Sequence, residues 1–352
     1  MSGVATCELA PGYTISRVIR GGWQLAGGHG AIDRATAVDD LTAAFDAGIF
    51  TYDCADIYTG VEALYGAFRA HLVQTRGSTA AGRLRVHTKL VPDLEGLATI
   101  SRREIEAIVN TSLQRLRVDC LDLVQFHWWD YAQPRWLDAL HWLDGLRAKG
   151  MISHIGGTNF DTPHVATMLE AGISVVTMQV QYSVLDHRAQ YGLAALCAKH
   201  KVALLCYGSV AGGFLSDRWL CAPEPAGPAE NRSLVKYKLI IDDFGGWPLF
   251  QELLMALRHI ADRHSVDIAT IASAWVLARP GVAAVIVGAR SGAHAGANAA
   301  VTSIALTARD HAAIAAVTAR ACGPLGDTYT LERDRDGRHG AIMKYNLNAK
   351  AS

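Results

Sequence analysis

What the sequence lacks narrows its function first. It has no excess charge: 33 Lys and Arg balance 33 Asp and Glu, for a formal net charge of zero. No run of like charge breaks that balance, so neither nucleic acid nor an anionic membrane is expected as a partner. The seven cysteines (Cys7, Cys54, Cys120, Cys197, Cys206, Cys221 and Cys322) are odd in number, scattered, and without C-x-x-C spacing. That argues against a disulfide framework and against a metal site, and for a reducing, cytoplasmic home. No apolar run approaches the ~18 residues of a membrane span. Met1-Ser2-Gly3-Val4 opens no basic-then-apolar leader, so no signal peptide is expected. A dinucleotide fingerprint is missing too: Gly27-Gly28-His29-Gly30 does not have G-x-G-x-x-G spacing. Only 19% of residues are charged while 50% are hydrophobic, which supplies a large core and leaves no case for disorder.

What is present is a rhythm. Short apolar runs read as strands at Ser16–Arg20, Gly48–Asp53, Arg83–Lys89, Cys120–Phe126, Ile152–Gly157, Ser174–Val180, Val202–Tyr207 and Val282–Val287. Helical patterns separate them. One opens at Asp33 and closes at Gly48, and another runs from Glu62 to about Val73. A third starts at the capping box Ser101/Glu104, a fourth at Pro134 and a fifth at Asp161. A sixth covers 188–200. Further helices follow at 249–264 and 267–278, then from about 293 and about 308. Strict alternation implies parallel strands with helical crossovers. Eight units in 352 residues favour a closed (β/α)8 TIM barrel over an open sheet. We expect a single domain with its core at about 17–320. The rhythm breaks only at 208–248, a long connection after the seventh strand, and in a polar tail, 323–352. Long irregular connections are usually functional.

Polar residues end three successive strands: Asp53, Lys89 and His127, with Tyr58 in the loop after the first. Each has an ordinary reading alone, as a capping acid, a surface lysine, a core histidine or a packing tyrosine. Together they stand at the rim where barrel active sites lie. Carbonyl reduction needs a hydride on carbon and a proton on oxygen. A tyrosine can give the proton, but its free pKa of ~10 is high for the task. Lys89 as a neighbouring ammonium would lower it, Asp53 would hold the lysine charged and oriented, and His127 would donate a hydrogen bond to the substrate oxygen or assist Tyr58. None of the four supplies hydride, so a nicotinamide must.

These residues carry a resemblance. The chain resembles the aldo-keto reductases in D-x-A-x-x-Y at Asp53–Tyr58, T-K at Thr88-Lys89 and L-D-L-x-x-x-H at Leu121–His127. Further matches are G-x-T-N at Gly156–Asn159, M-Q-x-x-Y at Met178–Tyr182 and V-G-A-R at Val287–Arg290. The resemblance implies that Asp53, Tyr58, Lys89 and His127 form the catalytic tetrad. It implies NADPH as cofactor, with NADH possible, bound without a Rossmann domain. Asn159 and Gln179 would meet the nicotinamide carboxamide, with Gly22, Trp23 and Thr158 nearby, and Tyr207 would stack on the ring. Backbone N–H groups of Gly208, Val210, Gly212, Gly213 and Leu215 suit a pyrophosphate. Gly288 and Arg290, ahead of a helix, would complete that site, and Asn298 would meet the adenine.

Two departures stand out. Gly208 replaces the serine common after the stacking tyrosine. His294 stands where the members most specific for NADPH carry arginine, and histidine does not keep its charge as arginine does. Arg290 is therefore the expected 2′-phosphate contact. Trp23, Trp128 and Trp129, with Trp247, are expected to form an aromatic cup around Tyr58 and His127 for a small carbonyl or alcohol substrate. The long 216–248 segment and the tail, with Lys344-Tyr345-Asn346, are candidate covers for the mouth. Oxidation in the reverse direction and a cofactor-binding redox-sensor subunit are the alternative functions. Monomer or small homo-oligomer is the expected state.

Overall fold

The computed structural model describes residues 3–26, 33–227, 230–288 and 292–348, with residues 34 and 35 by backbone alone. The glycine-rich loop through Gly30 and the expected phosphate contact Arg290 lie outside the described residues. The chain opens with a hairpin, β1 (Thr6–Ala10) and β2 (Tyr13–Ser16), that the strand pattern alone does not anticipate. Its turn is Pro11-Gly12, with Gly12 at φ 75°, where a side chain would be strained.

The barrel strands are β3 (Val18–Gly21), β4 (Thr51–Asp53), β5 (Arg85–Leu90), β6 (Leu121–Phe126), β7 (Ile152–Thr158), β8 (Val175–Gln181), β9 (Ala203–Tyr207) and β10 (Val282–Gly288). All eight pair in parallel, and β10 returns to β3, so the sheet closes. Outer helices alternate with them: α1 (Arg34–Asp46), α2 (Val61–Ala81), α3 (Arg102–Leu116), α4 (Trp136–Ala148), α5 (Thr162–Glu170) and α6 (Leu193–Lys199). Between β9 and β10 lie α7 (Arg232–Phe244), α8 (Gly246–His264) and α9 (Ile268–Leu277). After β10 come α10 (Ala295–Ala300), α11 (Ala308–Thr318) and the short α12 (Thr330–Arg333). No described helix is long and apolar enough to cross a membrane.

Local signals explain several boundaries. The Ser101/Glu104 capping box forms as expected, and Asp161 caps α5 by accepting from the His164 N–H at 3.1 Å. The first barrel strand starts at Val18, because Ser16 belongs to the hairpin. The 208–248 connection is less irregular than expected. It contains α7, capped by Asn231, whose buried Leu234, Tyr237, Ile241 and Phe244 recur at helical spacing.

Two cores result. The larger lies between sheet and helices. The smaller fills the barrel interior with Ile19, Leu123, Leu205, Ala284 and Ile286, and the hairpin's Leu9, Tyr13 and Ile15 pack beneath it as a floor. With that end filled by apolar side chains, polar groups gather at the opposite end. Parallel register puts Gly21 beside Asp53, Lys89 beside Gln125, Thr158 beside Gln179 and Gln181 beside Tyr207.

Candidate active site

A cavity of about 760 Å³ opens at the C-terminal end of the strands. Asp53, Tyr58, Lys89 and His127 all line it. Asp53 and Lys89 form a buried ion pair, Nζ to Oδ2 at 2.6 Å, and Nζ also donates to the Cys54 carbonyl at 2.8 Å. The other carboxylate oxygen, Oδ1, accepts from Gln125 Nε2 at 3.0 Å and Gln179 Nε2 at 2.6 Å. Three N–H donors from three strands thus fix Asp53. Gln125, fully buried, is a site residue that the sequence reading passes over, because inside an apolar run it looks like any strand residue.

Lys89 sits 4.9 Å from the centre of the Tyr58 ring. Burial alone would pull its ammonium down, but Asp53 and Tyr58 outweigh burial and hold its pKa above the ordinary lysine value. The phenol behaves differently from expectation. Burial is the largest influence and raises the Tyr58 pKa, while Lys89 pulls it back without cancelling the rise. Tyr58 therefore keeps its proton at neutral pH. Trp23 packs against it, ring centres 5.1 Å apart.

His127 also departs from expectation. Burial, reinforced by the Arg333 guanidinium, lowers its pKa to about 3, so the ring is neutral. Its Nδ1 lies 3.0 Å from the Thr158 carbonyl, which can only accept, so Nδ1 carries the proton. Nε2 is then a bare lone pair, buried and without a protein partner. At neutral pH it accepts a hydrogen bond rather than donating one. Asp56, just before Tyr58, holds the loop by accepting from the N–H groups of Ile57 and Val91.

The expected cofactor residues mostly share this cavity. Thr158, Asn159, Gln179, Tyr207, Gly208, Val210, Gly212, Gly213, Leu215, Gly288, His294 and Asn298 line it. Gly22 does not. Its N–H donates to the Asp53 carbonyl at 2.8 Å, and a Cβ there would meet that same oxygen at 2.7 Å; Gly21 faces the cavity instead. Tyr207 donates its hydroxyl to Asn159 Oδ1 at 2.8 Å, leaving the Asn159 amide N–H groups. Gln179 uses both amide donors on Asp53 and Gln125, leaving its Oε1. Asn159 thus keeps two free donors and Gln179 a free acceptor oxygen, which matches the C=O and NH2 of a primary carboxamide.

Gly208 (φ 75°) has a structural reason to be glycine. A Cβ there would fall 2.3 Å from the Tyr237 hydroxyl. Asn231, Arg232, Asp267 and Thr270 also line the cavity, beyond the residues that the sequence singles out. The helix after β10 is the six residues of α10, and the N–H of Gly292 ahead of it donates to Asp40.

The aromatic cup is smaller than expected. Trp23 and Trp129 line the cavity, and Trp129 meets His127 edge to face with ring centres 4.3 Å apart. Trp128 does not line it: fully buried, it donates its indole N–H to the carbonyls of Asp130 and Gln133. Trp247 is also elsewhere, packed against Phe214, Trp219 and Phe250, with its N–H on Ala222. The tail contributes, as the candidate cover named from the sequence. Tyr329, Ile342, Met343, Lys344 and Leu347 line the cavity, Tyr345 packs on Trp129, and Asn346 bonds Glu95.

A family model for the aldo/keto reductase family matches residues 17–319. The NADH-specific methylglyoxal reductase of Escherichia coli (strain K12) is 25% identical over 312 residues, covering 84% of this chain and 93% of that protein. Flagellar radial spoke protein 5 of Chlamydomonas reinhardtii is 28% identical over 257 residues, 63% of this chain; the match spans only about half, 48%, of that protein. Among solved structures, a glycerol dehydrogenase from Gluconobacter oxydans superposes with a TM-score of 0.74 at 22% identity, covering 90% of this chain and 96% of that one. An aldo/keto reductase from Klebsiella pneumoniae, solved with NADP and acetate, gives 0.68 at 21% identity, covering 92% and 98%. These two likenesses concern the fold. With the family model spanning the barrel from before its first strand to the end of α11, the chain belongs to the aldo/keto reductase family.

Proposed function

We propose that the chain reduces a small aldehyde or ketone to the alcohol, with Tyr58 as proton donor. The observation that carries this is the charge arrangement around Tyr58: a protonated phenol at a cavity wall, 4.9 Å from an ammonium that Asp53 fixes at 2.6 Å. As the carbonyl oxygen gains negative charge, Tyr58 gives up its proton and becomes a phenolate. Lys89 is placed to stabilise that phenolate, an interaction that matters most in the transition state. Asp53 keeps Lys89 charged. The His127 lone pair is suited to accept a hydrogen bond from the tyrosine or from the new hydroxyl.

A reduced nicotinamide, when bound, supplies the hydride. The carboxamide fit of Asn159 and Gln179 supports that cofactor, as do the backbone groups of residues 208–215. We favour NADPH, as bound by the Klebsiella relative, with NADH as the alternative, the specificity of the E. coli relative. The walls formed by Trp23, Trp129 and Tyr329 suit a substrate with an apolar body. The test is NADPH consumption by the purified chain with an aromatic aldehyde, for wild type and Tyr58→Phe. Turnover should fall by roughly 10²–10⁴-fold while cofactor affinity is retained. Near-normal turnover in the variant would refute the assignment.

A further inference from the structure

Arg333 closes the short turn of α12 and comes from a tail whose sequence shows no periodicity. Its Nη1 donates to the Trp129 carbonyl at 2.8 Å and also to the Trp128 carbonyl, and its Nη2 donates to the Asn159 carbonyl at 2.8 Å. Those carbonyls belong to the loops leaving β6 and β7. One guanidinium therefore ties together the strand ends that carry His127, Trp129 and Asn159. A planar fork suits this, since its donors are already arranged for several acceptors. The guanidinium also lies 3.9 Å over the Tyr131 ring and 5.5 Å from that of Tyr329.

The clamp is itself anchored. Glu332, next in the chain, is buried and accepts from both terminal nitrogens of Arg188, at 2.9 and 3.0 Å. Arg188 is buried too and is paired with Asp186. Arg333 and His127 then address adjacent carbonyls of one loop, those of Asn159 and Thr158. Two charged groups act on His127, Arg333 from the tail and Lys89 on β5, the partner of Asp53, and the Tyr329 ring from the tail meets it edge to face with ring centres 5.7 Å apart. Lys89, though paired with Asp53, also pulls the His127 pKa down, less strongly than Arg333 does. Arg333 has no carboxylate partner among the described residues, and its positive charge weighs more on the imidazole than that of Lys89.

We propose that Arg333 is a positioning residue of the active site, locking the loops that bear His127, Trp129 and Asn159 and setting its guanidinium charge beside the His127 imidazole. The proposal rests on the reading that His127 acts on the reacting oxygens.

The test uses Arg333→Gln and Arg333→Lys in the full chain, with two readouts. One is the His127 ring titration by NMR, assigned with His127→Asn. The other is the pH profile of NADPH-dependent aldehyde reduction. In Arg333→Gln, His127 should titrate about one pH unit or more higher, and the acid limb of the profile should move up with it. Its turnover should fall roughly tenfold or more, as expected for displaced site residues. Arg333→Lys should restore the low titration, because the charge remains, but not the turnover, because an ammonium lacks the fork. Wild-type titration and turnover in Arg333→Gln would overturn the proposal, as would Arg333→Lys behaving like Arg333→Gln. If the wild type reduces no carbonyl, the proposed function fails, while the titrations still decide the place of Arg333. If Arg333→Gln does not fold, Arg333→Lys decides: low titration with depressed turnover supports the proposal, and full turnover or a raised titration overturns it.

Discussion

Replacing Lys89 by methionine should separate its two tasks. In the fold, Lys89 is the counter-ion of a carboxylate buried with it. Removing one partner of such a pair leaves an uncompensated charge, at a cost of about 3–5 kcal/mol. In the proposed reaction, Lys89 faces a phenol that becomes anionic. At the observed 4.9 Å and an effective dielectric of about 20, a unit charge pair is worth about 3.4 kcal/mol, or roughly 300-fold in rate. The single variant should lose both. Adding Asp53→Asn removes the stranded carboxylate, so Lys89→Met/Asp53→Asn should regain most of the stability and little of the turnover. Denaturant midpoints report the first effect and steady-state aldehyde reduction the second. A Lys89→Met chain that turns over within about threefold of wild type would refute the claim that the ammonium stabilises a phenolate. A double variant that recovers activity along with stability would show that Lys89 acts only on the fold.

Two further outcomes follow from the geometry. His87 and His127 are buried with pKa values lowered to about 3, so between pH 6.5 and 3 the unfolded chain binds more protons than the folded one. Stability should be complete above pH 6.5 and fall by about 1.4 kcal/mol per pH unit for each histidine below it; urea midpoints that stay level from pH 7 to 4 would contradict this. Gly208→Ala should weaken NADPH binding and lower stability, since its Cβ would meet the Tyr237 hydroxyl at 2.3 Å with φ at 75°. Adding Tyr237→Phe removes the clashing oxygen but not the backbone strain, so calorimetry should find partial recovery, and unchanged affinity in the single variant would count against the close approach.

The barrel was legible because its signals are local. Capping residues, glycine stops and apolar runs mark each βα unit without reference to the rest. The hairpin was overlooked although Pro11-Gly12 is a turn signal, because its strands lie outside the eight-fold alternation. Helix α7 was overlooked because the small and proline-rich residues before it drew the whole segment into one loop, yet Asn231 and the Leu234–Tyr237–Ile241 spacing were there to read. At the site, the residues that could be named are those at strand ends. Those that could not are side chains whose role depends on direction. Trp128 and Trp129 are neighbours, and only the fold decides that the first is walled in by Asp130 and Gln133 while the second faces the cavity. The contributions of Tyr329 and Arg333 had no sequence signal, since nothing in an aperiodic tail says where it docks.

Direction also changes the chemistry inferred for the tetrad. Sequence reasoning assumes that a lysine beside a tyrosine makes the phenol more acidic than usual. In the fold the same pocket that brings Lys89 close also removes water, and burial raises the Tyr58 pKa more than the cation lowers it. The result suits a donor better than a phenol that is already ionised, because the proton is present when the carbonyl arrives. The ammonium then does most for the phenolate that forms, and not for the resting enzyme. His127 fits the same logic. With Nδ1–H fixed on Thr158, its Nε2 is an acceptor, so in the proposed reaction it would not compete with Tyr58 to protonate the substrate. On the proposed reading, burial and a single backbone carbonyl give two groups of the same cavity opposite parts, Tyr58 to give a hydrogen and His127 to receive one.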